Sequence, residues 1–131
     1  MLEKNIKKTI KVWDKEYKKG FTSYLVLLLL KNSPMYGYQL KNELEALTNK
    51  VVTYQEGGIY QVLKKLKGNG FLTSQSEKSS KGPVRKIYSL TESGEQLLDL
   101  FTSQYVLPIH MAIFDLINKT FGSNKNHRKE N

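Results

Sequence analysis

Between residues 55 and 72 the chain reads QEGGIYQVLKKLKGNGFL, and this stretch restricts the fold more than any other. Ile59, Val62, Leu63 and Leu66 fall at i, i+3, i+4 and i+7, which is one face of a helix. Gly57 and Gly58 open the segment and Gly68 with Gly70 closes it, as expected of a helix that starts and stops sharply. A helix from about Gly57 to Asn69 would bury its aliphatic stripe and turn Tyr60, Gln61, Lys64, Lys65 and Lys67 outward. An aromatic hydroxyl, an amide and three lysines can reach phosphates and base edges. The plain alternative is an ordinary amphipathic helix with a solvated lysine face. The rest of the chain decides between the two.

Upstream, residues 3–19 read as a polar helix with a narrow stripe, Ile6, Ile10, Trp13 and Tyr17, at spacings of 4, 3 and 4. Gly20 loosens the chain there. Thr22 or Ser23 can cap the next helix, Tyr24 to Lys31, whose five leucines and one valine predict burial nearly all round. Asn32, Ser33 and Pro34 end it. Tyr36 to Leu47 is a second helix, with Leu40, Leu44 and Leu47 on its apolar side. Thr48 to Tyr54 holds two adjacent valines and a threonine and reads as an extended connector.

Downstream, Phe71 to Gln75 and Arg85 to Leu90 have the alternation of strands, joined by the polar, basic loop EKSSKGP. Helix, helix, helix, then a hairpin with a lysine-bearing tip is the order of a winged helix-turn-helix. Thr91 caps a last helix with Glu92 and Glu95 in its first turn, where the helix dipole favours acids. Leu97, Phe101, Tyr105, Ile109, Ile113 and Leu116 run along it, with Ile117 beside them. That is more apolar surface than one helix needs against a small domain, and it implies a partner helix. Pro108 either kinks this helix or starts a second one; a kink is the favoured reading. The expected organisation is mainly α with a small β-hairpin: a helical extension over 1–20, the winged domain over 21–90, a dimerisation helix over 91–121 and a flexible tail over 122–131.

Charge separates these parts. The formal net charge is +9. Residues 54–88 carry six lysines and Arg85 against Glu56 and Glu77, whereas 89–118 carry four acids and no Lys or Arg. A polyanion would be drawn to the first segment and repelled by the second. The chain lacks cysteine, so thiolate chemistry and disulfides are excluded. The run Tyr24 to Leu30 is too short to span a bilayer, which needs about 20 residues, and Met1 to Lys19 lacks the apolar core of a signal peptide. A cytoplasmic location, no membrane and no cofactor are expected. Of the two histidines, His110 and His127, His110 stands in an apolar stripe with no second ligand at i+3 or i+4, and no metal site is expected. No acid cluster, nucleophile–base set or phosphate loop accompanies them, which argues against an enzyme.

Three blocks carry a family resemblance: YLVLLLLKNSPMYGYQL, EGGIYQVLKKLKGNGFL and GPVRKIYSLTESGEQLL. In this order and spacing they resemble the PadR family of transcriptional regulators. The resemblance implies a winged helix-turn-helix that dimerises through its C-terminal helix. It also implies repression of detoxification, efflux or stress genes, and response to small aromatic or amphiphilic effectors. By the same resemblance Tyr36 and Gly37 lie near the DNA backbone and the Tyr60 hydroxyl meets a phosphate. Gly82, Pro83, Arg85, Lys86 and Tyr88 form the wing, and Thr91, Glu92 and Gly94 start the dimer helix. Gly58 stands where the family usually has Ser or Thr, and Gln61 where it usually has Pro.

The expected function is a homodimeric, sequence-specific DNA-binding repressor. Phosphate contacts fall to Tyr36, Tyr60, Lys81, Arg85 and Lys86. Base readout falls to Gln61, Lys64 and Lys65, because amides suit adenine and lysines suit guanine. Trp13 is the candidate effector contact; its plain alternative is a packing residue. The competing function is an interaction module, binding a protein or binding DNA without sequence preference.

Overall fold

The computed structural model describes residues 2–77 and 82–130; for Leu2 and residues 123–130 it describes the backbone alone. The described chain runs α1 (Leu2–Asn32), β1 (Met35–Tyr36), α2 (Gly37–Leu47), α3 (Gly58–Gly68), β2 (Leu72–Glu77), β3 (Arg85–Leu90), α4 (Glu92–Phe101), a π turn (Thr102–Val106) and α5 (Leu107–Glu130). Two compact units divide it, residues 1–96 and 97–131.

The first unit is a winged helix-turn-helix, and its largest departure from expectation is α1. The two helices expected on either side of Gly20 are one helix of 31 residues. Gly20 costs about 1 kcal/mol against alanine inside a helix, which is too little to break one anchored at its far end. Thr22 is no cap. Its hydroxyl donates to the Lys18 carbonyl, 2.6 Å away, and lies 3.0 Å from the Tyr54 hydroxyl. Val26, Leu27 and Leu30 are buried but Leu28 is 39 % exposed, so the leucine run faces the core on one side only.

The connector after α2 is not extended at its start. The Lys50 N–H donates to the Glu45 carbonyl and the Asn49 N–H to the Ala46 carbonyl, with Asn49 at φ 51°. This is a Schellman closure, and asparagine tolerates its left-handed position. The same closure ends α3, where Gly70 takes φ 83° and the Phe71 N–H reaches the Leu66 carbonyl. Leu40, Leu44, Ile59 and Leu63 pack with the α1 residues as the core of the unit.

The hairpin of β2 and β3 pairs Leu72 with Leu90 through to Glu77 with Arg85. A third strand went unseen in the sequence. Met35 and Tyr36 pair with Tyr88 and Ile87, giving the antiparallel order β1-β3-β2. Two residues are too few for alternation to register. Thr91 caps α4 as expected: its hydroxyl oxygen accepts the Gly94 N–H at 3.1 Å and its proton goes to the Gly70 carbonyl at 2.6 Å.

In the second unit the helix does not end at Pro108. Leu107 donates its N–H to the Thr102 carbonyl five residues back, which makes Thr102–Val106 a π turn. Proline has no N–H to give and crowds the carbonyl four residues earlier; a widened turn just ahead of it relieves that conflict. Residues 122–130, expected as a tail, lie on the last turns of α5. The continuous helix Glu92–Gly122 is also long and apolar enough, by length and composition, to cross a membrane, a property that the shorter leucine run lacks.

Candidate nucleic-acid interface

Helix α3 is held by its aliphatic stripe. Ile59, Leu63 and Leu66 are buried and Val62 half-buried, so Tyr60, Gln61, Lys64, Lys65 and Lys67 are exposed. Gly57 precedes it at φ 87°, a conformation for which glycine has no steric penalty, and no side chain caps the end. Lys65 and Lys67 sit in the last turn, where the helix dipole favours cations.

Between α3, the start of α2 and the wing lies a cleft of about 870 Å³. Lys64 and Lys67 come from α3, and Arg85 and Lys86 from β3. Tyr36, Tyr38, Tyr60 and Tyr88 supply aromatic walls, and Gly37 and Val84 complete them. Four cations and phenol hydroxyls around one concavity are groups that bind phosphate oxygens. Several of these side chains are fixed in place. The Tyr36 and Tyr38 rings stack at 5.8 Å, and the Arg85 guanidinium lies 5.7 Å from the Tyr38 ring centre. The Lys67 ammonium donates to the Ser74 hydroxyl at 2.7 Å. A Cβ on Gly37 would come within 2.4 Å of the Tyr60 ring, so the ring needs the bare glycine beneath it.

One acid reaches this cationic wall. The exposed Tyr36 hydroxyl donates to the Glu77 carboxylate on the wing. That hydrogen bond is the main cause that raises the Tyr36 phenol above its ordinary range, since ionised Tyr36 would face an acceptor with nothing to donate. Burial pushes the Tyr88 phenol up, with Tyr60 adding to it. The Tyr36 N–H is received by the Gln39 side chain at 2.9 Å, which fixes the entry to α2.

Of the residues expected to touch DNA, Tyr36, Tyr60, Lys64, Arg85 and Lys86 line one cleft. Gln61 and Lys65 are exposed on α3 but do not line it. Lys81 lies outside the described residues. Lys67, Tyr38, Val84 and Tyr88 line it too; Lys67 is in the outward set expected of the helix and Tyr88 in the wing motif, but none of the four is among the expected DNA contacts. Lys67 was legible, because Tyr60, Lys64 and Lys67 recur at i, i+4 and i+7 while Gln61 and Lys65 are rotated away from that row. Tyr38 has no such signal, since only the fold brings Arg85 over its ring. The residues expected at a dimer interface include Phe101, Tyr105, Ile109, Ile113 and Leu116, which are 40 to 65 % exposed, and Leu97, which is partly so. Leu107, Met111, Phe114 and Phe121 are exposed too, so the apolar surface is broader than one stripe. Trp13 is 66 % exposed on α1 and does not line the cleft.

Residues 26–100 match the model of the transcriptional regulator PadR-like family. No curated protein matches the chain. Among solved structures, a protein from Thermoplasma acidophilum described as a transcriptional regulator is 30% identical, with a TM-score of 0.63 over 76% of this chain and 91% of that one. A PadR-like transcription factor from Bacteroides fragilis is 27% identical, with a TM-score of 0.65 over 76% and 94%. Bacillus subtilis PadR, solved in complex with operator DNA, is 28% identical, with a TM-score of 0.58 over 63% of this chain and 47% of its own.

Proposed function

The chain belongs to the PadR-like family of transcriptional regulators, and we propose that it works as a homodimeric, sequence-specific DNA-binding repressor in the cytoplasm. The observation that carries the reading is the cleft, where Lys64 and Tyr60 of α3 and Arg85 and Lys86 of the wing converge. Helix α3 enters the major groove and Lys64 meets a base edge, with Gln61 and Lys65 beside it. Tyr36, Tyr60, Arg85, Lys86 and the loop residue Lys81 meet phosphates. The operator-bound relative from Bacillus subtilis supports DNA as the ligand class.

The exposed residues Phe101, Tyr105, Ile109, Ile113 and Leu116, with Leu97, form the dimer contact in this reading, because a bare apolar helix in water calls for a partner. Two half-sites about 34 Å apart would then be read by one dimer. Repression is relieved by a hydrophobic or aromatic small molecule that meets the exposed indole of Trp13. Planar cationic or phenolic compounds should therefore quench Trp13 fluorescence and weaken DNA binding together.

The test is selection of a duplex from genomic fragments, followed by competition with random DNA. A retained complex under excess random competitor supports the reading. Displacement at equal mass would replace it with an interaction module that lacks sequence preference.

A further inference from the structure

The first half of α1 reaches outside the winged domain's core and leaves its apolar residues uncovered. Ile6, Ile10, Trp13 and Tyr17 are 53, 60, 66 and 65 % exposed. Helical segments of this length owe their stability to a packed face rather than to propensity. Their spacing of 4, 3 and 4 is that of a short coiled-coil seam. Lys4, Lys8, Lys11, Lys15 and Lys19 recur at 4, 3, 4 and 4 on the opposite face. The seam is bordered on one edge by Lys7 and Asp14 and on the other by Thr9 and Glu16.

We infer that this segment pairs antiparallel with the same segment of a second copy of the chain. With Ile6 opposite the partner's Tyr17 and Ile10 opposite the partner's Trp13, Lys7 faces the partner's Asp14. Two-fold symmetry makes that contact twice. Within each helix Lys7 already holds Glu3 at 3.4 Å and Lys18 holds Asp14 at 3.1 Å. Pairing joins these into one line of alternating charge along the edge. A parallel pair lacks this match, because it sets Asp14 beside the partner's Thr9 and no edge lysine beside an acid. Flanking charges select partner and orientation in such seams. An anionic lipid surface fits poorly, since Asp14 and Glu16 border the seam where headgroups would lie. A planar effector at Trp13 would have to enter between the two helices. The pairing does not depend on the DNA-binding reading.

Trp13 is the sole tryptophan and reports on the seam in the full-length protein. At low salt its emission should be blue-shifted and shielded from acrylamide. K7E alone and D14K alone should each shift it red and raise quenching several-fold. An equimolar mixture of K7E and D14K chains, refolded together, should recover the wild-type spectrum, because acid and lysine oppose again only across the mixed pair. Mixing cannot restore the Glu3 or Lys18 contacts inside either helix, so recovery separates pairing from local helix damage. Singles that keep the wild-type spectrum, or a mixture that stays red-shifted, would overturn the proposal.

Discussion

Two glycines show how differently the same atom can matter. A Cβ on Gly94 would lie 2.2 Å from the Phe71 carbonyl oxygen, which is backbone and cannot turn aside. Gly94→Ala should lower stability by about 1–3 kcal/mol, the usual cost of overpacking, and thermal unfolding would register it. At Gly37 the added atom meets the Tyr60 ring, which can rotate away. Gly37→Ala should therefore leave the melting temperature nearly unchanged and weaken DNA binding, because Tyr60 leaves the cleft. Glu77 is a second residue whose effect has a definite sign. Its carboxylate receives the Tyr36 proton and places an acid where phosphates would sit. Glu77→Gln should tighten binding to any duplex several-fold in a gel-shift titration; unchanged or weaker binding would mean that Tyr36 does not approach phosphate. The pH dependence follows from the raised Tyr36 phenol. Its contribution is fully present below the ordinary tyrosine pKa and is lost as pH rises through the raised value. NMR of labelled tyrosine ring carbons should show that titration return toward the ordinary range in Glu77→Gln.

At the scale of elements, the pattern of α3 was legible because one face is buried and both ends carry glycine. The hairpin was legible from alternation, and α4 from Thr91. What escaped has physical reasons. Gly20 punctuates a sequence but costs a helix only about 1 kcal/mol, and Val26, Leu27 and Leu30 anchor α1 firmly enough to carry it. A two-residue strand such as β1 exists only because β3 offers it hydrogen bonds. The sequence at Pro108 admits a kink or a split, with a kink favoured, and a π turn accommodates the proline within one helix. The helix Glu92–Gly122, whose apolar residues after Leu98 are mostly exposed, admits both a dimer and, by length and composition, a membrane reading. Phe101→Glu combined with Ile113→Glu should weaken self-association in sedimentation velocity, leaving only the copies that pair through α1. If the double variant associates as tightly as the wild type, the C-terminal helix is not an interface. If the wild-type protein fractionates with lipid instead, the helix serves a membrane.

Across the whole molecule the charge is polarised along the sequence: lysines gather in the first half of α1 and in the segment of α3 and the wing, and acids in the helix after the wing. That much of the site was readable, together with five residues that the fold gathers into one cleft. The depth of the cleft was not readable, because Tyr38, Val84 and Tyr88 reach it only through strand pairing and ring stacking. The central claim is that this cleft reads DNA, with Lys64 at a base and Arg85 at phosphate. The direct measurement is a salt titration of binding for wild type, Lys64→Ala and Arg85→Ala, on a selected site and on a scrambled duplex. Lys64→Ala should cost about 1–3 kcal/mol on the selected site and little on the scrambled one. Arg85→Ala should weaken both alike and lower the slope of log affinity against log salt by about 0.9 for each phosphate that is no longer neutralised. Equal weakening on both duplexes for Lys64→Ala would make it a phosphate contact and reverse the orientation assigned to α3. Wild-type affinity and slope in both variants would contradict the claim that the cleft binds DNA.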